Sequence, residues 1–147
     1  MFIENVSLAA IQKGWHYDTG NNAMLIQIVD PDNNHPVPKY DFKHVVQLKF
    51  LDLESVGHPL APKPHHAAKI VDALVHARDN QMKVIVHCHA GVCRSGAVAQ
   101  FAIDRLGFQD TESHRIPNLL LKKYLNYHFD FDTCCGRPDL ENIPRFQ

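Results

Sequence analysis

The sequence lacks any long apolar run, and it has no excess of charge of either sign. No stretch of about 18 consecutive apolar residues occurs, so it predicts neither a membrane-spanning helix nor a membrane partner. Lysine and arginine number 15 against 16 acidic residues, for a net charge of −1. This balance gives no electrostatic reason to expect nucleic acid as a partner. No basic and then apolar leader follows Met1, so we expect a cytoplasmic protein.

Cysteine is also scarce, with four residues in 147. Cys134 and Cys135 are adjacent, where a disulfide is strained. Cys88 and Cys93 both fall in one short glycine-containing loop. The sequence therefore predicts free thiols, as in a reducing compartment.

Metal-ligand patterns are absent as well. There is no Cys-x₂-Cys pair, and His87 and His89 flank a strand end, so that their side chains are expected to point in opposite directions. The pair His65-His66 has no nearby partner motif. We expect no metal and no other cofactor.

Strand and helix patterns alternate along the chain, and its length and 45% hydrophobic content suit one domain spanning residues 1–147. This order predicts the α/β class, with a central, mostly parallel (mixed) sheet flanked by helices and a site at the carboxyl end of its strands. The predicted elements are a short strand at 2–3, a helix from the cap Ser7 to Lys13, strands at 24–29 and 44–51, a helix at 66–81, a strand at 84–86, a helix at 95–106, a helix after the cap Asn118, and an irregular tail at 132–147.

The segment 83–96 has the pattern of a strand, a tight loop and a helix start. A β-branched run leads to Cys88, and Arg94 follows six residues later, before a run of helix formers. Such a loop directs several backbone N–H groups at one point beside the positive end of a helix dipole, so it predicts an anion site. A cysteine at its base is expected to be ionised and therefore nucleophilic.

The stretch from His87 to Ser95 resembles the His-Cys-x₂-Gly-x₂-Arg-Ser/Thr signature of the cysteine-dependent protein tyrosine phosphatases. It is most similar to the compact dual-specificity branch, including small bacterial and phage members. The resemblance covers about residues 24–129, because Lys49-Phe50-Leu51-Asp52 lies where that family carries its general acid and Arg115-Ile116-Pro117-Asn118 is similar to a downstream segment. It implies a protein tyrosine phosphatase-like fold and metal-independent hydrolysis of phosphotyrosine, extending to phosphoserine and phosphothreonine.

Physical chemistry assigns each loop residue a role in that reaction. Cys88 would attack phosphorus in line and form a phosphocysteine. Arg94 offers a planar fork of donors to two equatorial oxygens, and Ser95 can donate a hydrogen bond to the Cys88 sulfur. Gly91 permits a close approach or a positive φ. The predicted substrate-binding residues are His89, Ala90, Gly91, Val92, Cys93 and Arg94.

The leaving oxygen needs a proton and the attacking water needs a base, and one carboxylic acid can serve both steps. Asp52 lies 36 residues before Cys88, at a strand end and on a long loop ending at Pro64 that has the character of an active-site lid. Glu54 on the same loop is the alternative acid. A third interpretation is that both carboxylates are merely solvated.

Four more residues have a functional and a structural interpretation. The resemblance implies that His87 orients the loop and tunes the thiol, although a satisfied core histidine fits too. Asn118 either anchors the nucleophile loop through its side chain or caps the last helix. Arg115 either meets substrate or lies in solvent. Cys93 either packs under the loop or captures an oxidised Cys88 as a disulfide.

Two other functions are compatible with the sequence. The chain could bind phosphorylated partners without turnover, or it could reduce arsenate with Cys134 or Cys135 as resolving thiols. Phosphoinositide-directed members of the family that the sequence resembles tend to carry lysine in this loop, and this loop has none, which argues against a highly charged inositol headgroup. We expect a phosphorylated protein or peptide as substrate, and a monomer.

Overall fold

A computed structural model describes residues 1–134, with only the helical backbone for 132–134. Strands alternate with helices along this range, apart from one pair of successive strands, and the α/β class that the sequence predicts is confirmed. The elements are β1 (Phe2–Ser7), α1 (Leu8–Lys13), β2 (Ala23–Val29), β3 (His44–Lys49), α2 (Pro64–Asp79), β4 (Lys83–Cys88), α3 (Arg94–Leu106), β5 (Gln109–Asp110) and α4 (Leu119–Cys134).

The central sheet has five strands in the order β3-β2-β4-β1-β5. Each adjacent pair is parallel, so the described sheet has no antiparallel member. The apolar runs of β2 and β4 occupy inner positions, where both faces of a parallel sheet are buried. The register pairs Ser7 with Cys88. The carboxyl ends of β1 and β4 therefore meet at one edge of the sheet.

The helices cover both faces of this sheet. Alternate residues of β2 and β4, including Ile26 and Val86, lie in one core with residues of α2, α3 and α4. The residues between them, Leu25 and Ile85, pack against Ile11 of α1 on the other face. This two-sided burial explains why the inner strands read as continuous apolar runs rather than as alternating patterns.

Local signals set most of the boundaries. Ser7 Oγ accepts a hydrogen bond from the Ala10 N–H at 3.1 Å, and Gly14 ends α1 with a φ of 75°, both as predicted. Gly107 ends α3 in the same conformation. The last predicted helix is longer than expected: α4 continues through residue 134, three residues into the predicted irregular tail, and residues 135–147 lie outside the described range.

Two other predictions need correction. β3 ends at Lys49 rather than at Leu51, because the Leu51 N–H turns away to bond with Leu60 O at 2.8 Å. α2 begins at Pro64 rather than at His66, with Pro64 at its first position, where a missing N–H costs nothing. The connection between β3 and α2, which we call the acid loop, therefore spans residues 50–63.

Candidate active site

Cys88 is the last residue of the central strand β4, and its side chain lies at the carboxyl edge of the sheet. The residue is only 2% exposed. Its Sγ lies 3.1 Å from Ser95 Oγ and accepts a hydrogen bond from the Gly91 N–H at 3.3 Å. The contact predicted between Ser95 and the sulfur is therefore present. Residues 89–93, which we call the nucleophile loop, connect this strand to α3.

Gly91 has the left-handed backbone that the sequence predicts, with a φ of 78°. A Cβ at this position would lie 2.3 Å from the carbonyl carbon of Val6 in β1. The buried Asn5 of β1 donates its amide to Gly91 O at 2.7 Å. The nucleophile loop therefore rests directly on the neighbouring strand, and no motif in the sequence predicts this role of Asn5.

We expect Gly91→Ala to destabilise the fold much more than Gly107→Ala. Gly107 has a similar φ of 76°, but nothing lies within 4 Å of its would-be Cβ, so its substitution costs only backbone strain of about 1 kcal/mol. At Gly91 the backbone of β1 must also move, for a total of about 3 kcal/mol or more. Urea unfolding of both variants measures the difference. Equal losses would contradict the close packing of the loop on β1.

The nucleophile loop presents unpaired backbone donors. The N–H groups of Ala90, Val92 and Cys93 donate to no acceptor in the described part of the chain. Cys93 also stands at the N-terminal cap of α3, and no side chain caps that end. Convergent free N–H groups at a helix N-terminus form an anion-binding nest.

Arg94 is 5% exposed, and its guanidinium group has two hydrogen-bond acceptors inside the protein. Its Nη1 donates to Asp30 Oδ1 at 2.7 Å and to Phe50 O at 2.8 Å. Its Nε is buried and has no partner among residues 1–134. A buried guanidinium N–H without an acceptor costs free energy. An oxyanion bound at the Nε edge of Arg94 would supply that acceptor. Asp30, at the carboxyl end of β2, pairs with Arg94 and holds its side chain in position. The sequence around Asp30 predicts only a turn residue there.

Asn118 joins the acid loop to the nucleophile loop. Its Nδ2 donates to Asp52 Oδ1 at 2.8 Å and to Leu53 O at 3.0 Å, while its backbone N–H donates to Cys93 O at 2.9 Å. The side chain thus anchors the acid loop rather than the nucleophile loop, which corrects the functional interpretation. Its Oδ1 also accepts from the Leu121 N–H at 2.9 Å, so the predicted helix cap is present.

Glu54 has a different partner from Asp52. Its Oε2 accepts a hydrogen bond from the Leu119 N–H at 2.6 Å, in the first turn of α4. A carboxylate at a helix N-terminus is stabilised by the unpaired N–H groups there. Both carboxylates considered for proton transfer therefore lie near the start of α4, but Glu54 is occupied by the helix end.

His87 is fully buried, whereas His89 is exposed. Burial lowers the pKa of His87 to about 4, against the opposing effect of its Nδ1 contact with Cys88 O at 3.3 Å. The ring is therefore neutral at pH 7. Its Nε2 has no partner within the described residues.

Cys93 is half-buried, and both it and Cys88 are free thiols. Burial raises the pKa of Cys93, and the neighbouring Asp52 carboxylate raises it further. A thiol with a raised pKa is protonated at neutral pH and a poor nucleophile. This environment favours the packing role over the activated thiol.

Arg115 does not lie free in solvent, which corrects one of its two interpretations. Its side chain is 9% exposed, and Nη2 pairs with Asp110 Oδ1 at 2.8 Å. Its Nε donates to Asn5 Oδ1 at 3.2 Å. Arg115 therefore ties β5 and β1 to the segment that precedes α4.

Two negative findings concern residues 1–134 only. No three side chains of histidine, cysteine, aspartate or glutamate converge in a group that could hold a metal ion there. Within the same range, no helix combines the length and the apolar character needed to cross a bilayer.

Comparison with solved structures identifies the fold. A human tyrosine phosphatase-like serine/threonine/tyrosine-interacting protein matches with a TM-score of 0.59 at 15% identity, over 89% of this chain and 93% of its own. Human DUSP28 matches with a TM-score of 0.60 at 15% identity, over 86% and 93%. A mouse protein described as a dual-specificity phosphatase, complexed with zinc tungstate, matches with a TM-score of 0.54 at 15% identity, over 79% and 75%. No protein-family model and no curated protein sequence matches the chain.

These neighbours define the class of fold. The chain has the fold of the dual-specificity phosphatases, as the resemblance implied. At 15% identity the likeness concerns the fold alone, and any catalytic activity depends on this chain's own residues.

Proposed function

We propose that the chain is a phosphatase that hydrolyses phosphotyrosine in proteins, and also phosphoserine and phosphothreonine, through a phosphocysteine on Cys88. One observation carries this proposal. The Cys88 sulfur accepts the Gly91 N–H within a loop that has other, unpaired N–H groups, and Arg94, which directly follows that loop, has a buried Nε with no partner among residues 1–134. A nucleophile and donors for a phosphoryl group therefore share one site.

In the first step the Cys88 thiolate attacks phosphorus, and the bond from phosphorus to the leaving oxygen breaks. The equatorial oxygens bind to the free N–H groups and to the Nε edge of Arg94, which stabilise the charge that develops in the transition state. Asp52 gives its proton to the leaving oxygen. The products are phosphocysteine and an alcohol or phenol.

In the second step water attacks the phosphocysteine and the bond from sulfur to phosphorus breaks. The Asp52 carboxylate accepts the proton of the water. The Ser95 hydroxyl, 3.1 Å from Sγ, donates to the sulfur and stabilises the departing thiolate. Inorganic phosphate leaves, and the reaction draws on protein groups and water alone.

Asp52 is our choice of acid because of the contacts that each carboxylate makes. Asn118 links Asp52 to Cys93 of the nucleophile loop, whereas Glu54 is engaged by the Leu119 N–H. The link of Asp52 to the nucleophile loop supports it as the acid, and the bond of Glu54 to α4 supports a role in holding the acid loop.

Turnover of para-nitrophenyl phosphate with excess EDTA tests this function. We expect the wild-type chain to be active, and Arg94→Lys to lose about 10²–10³-fold in kcat/KM because an ammonium cannot present a planar fork to two oxygens. Arg78→Lys, an exposed substitution on α2, is the control and should be unchanged. Tungstate, the oxyanion in the mouse neighbour's complex, should inhibit competitively. Absence of turnover by wild type, with or without added metal, would refute the proposed phosphatase activity.

A second candidate is a module that binds phosphorylated partners without turnover. It is favoured by the human neighbour described as a tyrosine phosphatase-like interacting protein. Binding of a phosphopeptide by a wild-type chain that hydrolyses none would select it. Arsenate reduction finds no comparable support, because the side chains of Cys134 and Cys135 lie outside the described residues.

A further inference from the structure

Four apolar side chains near the candidate site are exposed to solvent. Their exposed fractions are 74% for Val56, 43% for Leu60, 61% for Ile116 and 65% for Leu119. We call this set the apolar rim. Isolated exposed apolar residues are ordinary, but a group beside a functional site marks a binding surface.

Backbone contacts place the apolar rim beside the loops of the site. The Ile116 N–H donates to Val92 O in the nucleophile loop at 3.1 Å, and the Leu119 N–H donates to Glu54 in the acid loop. Leu60 O accepts from the N–H of the residue before Asp52 at 2.8 Å. Val56 follows Glu54 by two positions. The rim therefore lies where the acid loop meets the start of α4.

The apolar rim contributes little to the core. Helix α4, which carries Leu119, buries Leu120, Leu121 and Leu125, and the last two belong to the core that α4 shares with α2 and α3. Ile116 and Leu119 leave most of their surface in water, so core packing does not account for large apolar side chains there.

The charges beside the rim narrow the class of ligand. Asp52 and Glu54 adjoin the rim, because they accept hydrogen bonds from Asn118 and from the Leu119 N–H, and Asp30 is paired with Arg94. Carboxylates at a mouth repel a second phosphate or a multiply phosphorylated headgroup. An apolar segment next to a single phosphate avoids this repulsion.

We propose that the apolar rim binds the residue next to the phosphorylated side chain, and that the substrates are protein segments with a large apolar residue in that position. This inference rests on the proposed phosphatase function and adds its substrate class. Burial of one leucine side chain against the rim is expected to change kcat/KM by about 10-fold or more.

Two phosphotyrosine peptides that differ only in leucine or serine beside the phosphotyrosine test the proposal. Wild type should favour the leucine peptide by about 10-fold in kcat/KM, and the double variant Ile116→Ser/Leu119→Ser should lose this preference. Tyr127→Ser removes an equally exposed apolar side chain, 72% exposed, two turns further along α4, and should keep it. Para-nitrophenyl phosphate lacks a flanking residue, so its turnover should stay within about 2-fold in all three proteins.

Calorimetry with Cys88→Ser separates the two proposals. One outcome is that this variant binds the leucine peptide about 10-fold more tightly than the serine peptide while wild type hydrolyses neither. That result would refute the proposed phosphatase function and support peptide binding by the apolar rim. Equal binding and equal turnover of both peptides would overturn the rim, as would a preference for a phospholipid in vesicles. A parallel loss on para-nitrophenyl phosphate in the double variant would show a structural effect instead and would also overturn it.

Discussion

Cys88→Ser is expected to lower kcat for para-nitrophenyl phosphate by at least about 10³-fold, since it removes the nucleophile of both steps. The contacts of this position explain why serine cannot substitute. The sulfur touches a hydroxyl and an N–H group, and neither is a base that could take the proton of a serine nucleophile. Fixed-time and continuous assays of para-nitrophenol release at several pH values measure the loss in kcat.

Cys93→Ser is the matched control for this substitution. It changes a second thiol in the same loop, but the raised pKa of Cys93 keeps that thiol protonated, so we expect activity within about 5-fold of wild type. The backbone N–H of the residue stays in place for the anion. Retained activity in Cys88→Ser, or a comparable loss in Cys93→Ser, would contradict the assignment of the nucleophile.

Asp52→Asn is expected to reduce kcat/KM by about 10²–10⁴-fold for phenyl phosphate, whose leaving group needs a proton. The loss should be much smaller for para-nitrophenyl phosphate, since its leaving group scarcely needs protonation. Asparagine can still accept the hydrogen bond from Asn118 Nδ2, so the acid loop should keep its position. A series of aryl phosphates with graded leaving groups measures the difference.

Glu54→Gln tests the alternative acid with the same substrates. Its side-chain oxygen can still accept from the Leu119 N–H, and the charge of Glu54 has no role in the proposed proton transfer. We expect a change of less than about 5-fold. If Glu54→Gln shows the steep dependence on the leaving group and Asp52→Asn does not, the general acid is Glu54.

The features that could be predicted from the sequence are those with local causes. The cap at Ser7 and the stop at Gly107 follow from residues adjacent in the chain. The contact between Cys88 and Ser95 follows from one loop of fixed length between a strand and a helix. Each of these signals lies within about ten residues, so no knowledge of the strand order is needed to use it.

The missed features depend on elements far apart in the chain. Asp30 reaches Arg94 because β2 lies next to β4, and Asn5 reaches Gly91 because β1 lies on the other side. The sequence does not give this strand order. β5 has only two residues, too few for a periodic pattern. The Asn118 side chain bonds to the acid loop while its backbone N–H bonds to the nucleophile loop, and only the packed structure shows which group reaches which loop.

The most direct test of the phosphocysteine is its capture on the chain. Asp52→Asn should retain much of the first step with para-nitrophenyl phosphate but lack the base for the second, so the intermediate should accumulate. The mixture is quenched during turnover and its peptides are mapped by mass spectrometry. We expect phosphate on Cys88. Phosphate on another residue, or none during active turnover, would contradict the mechanism.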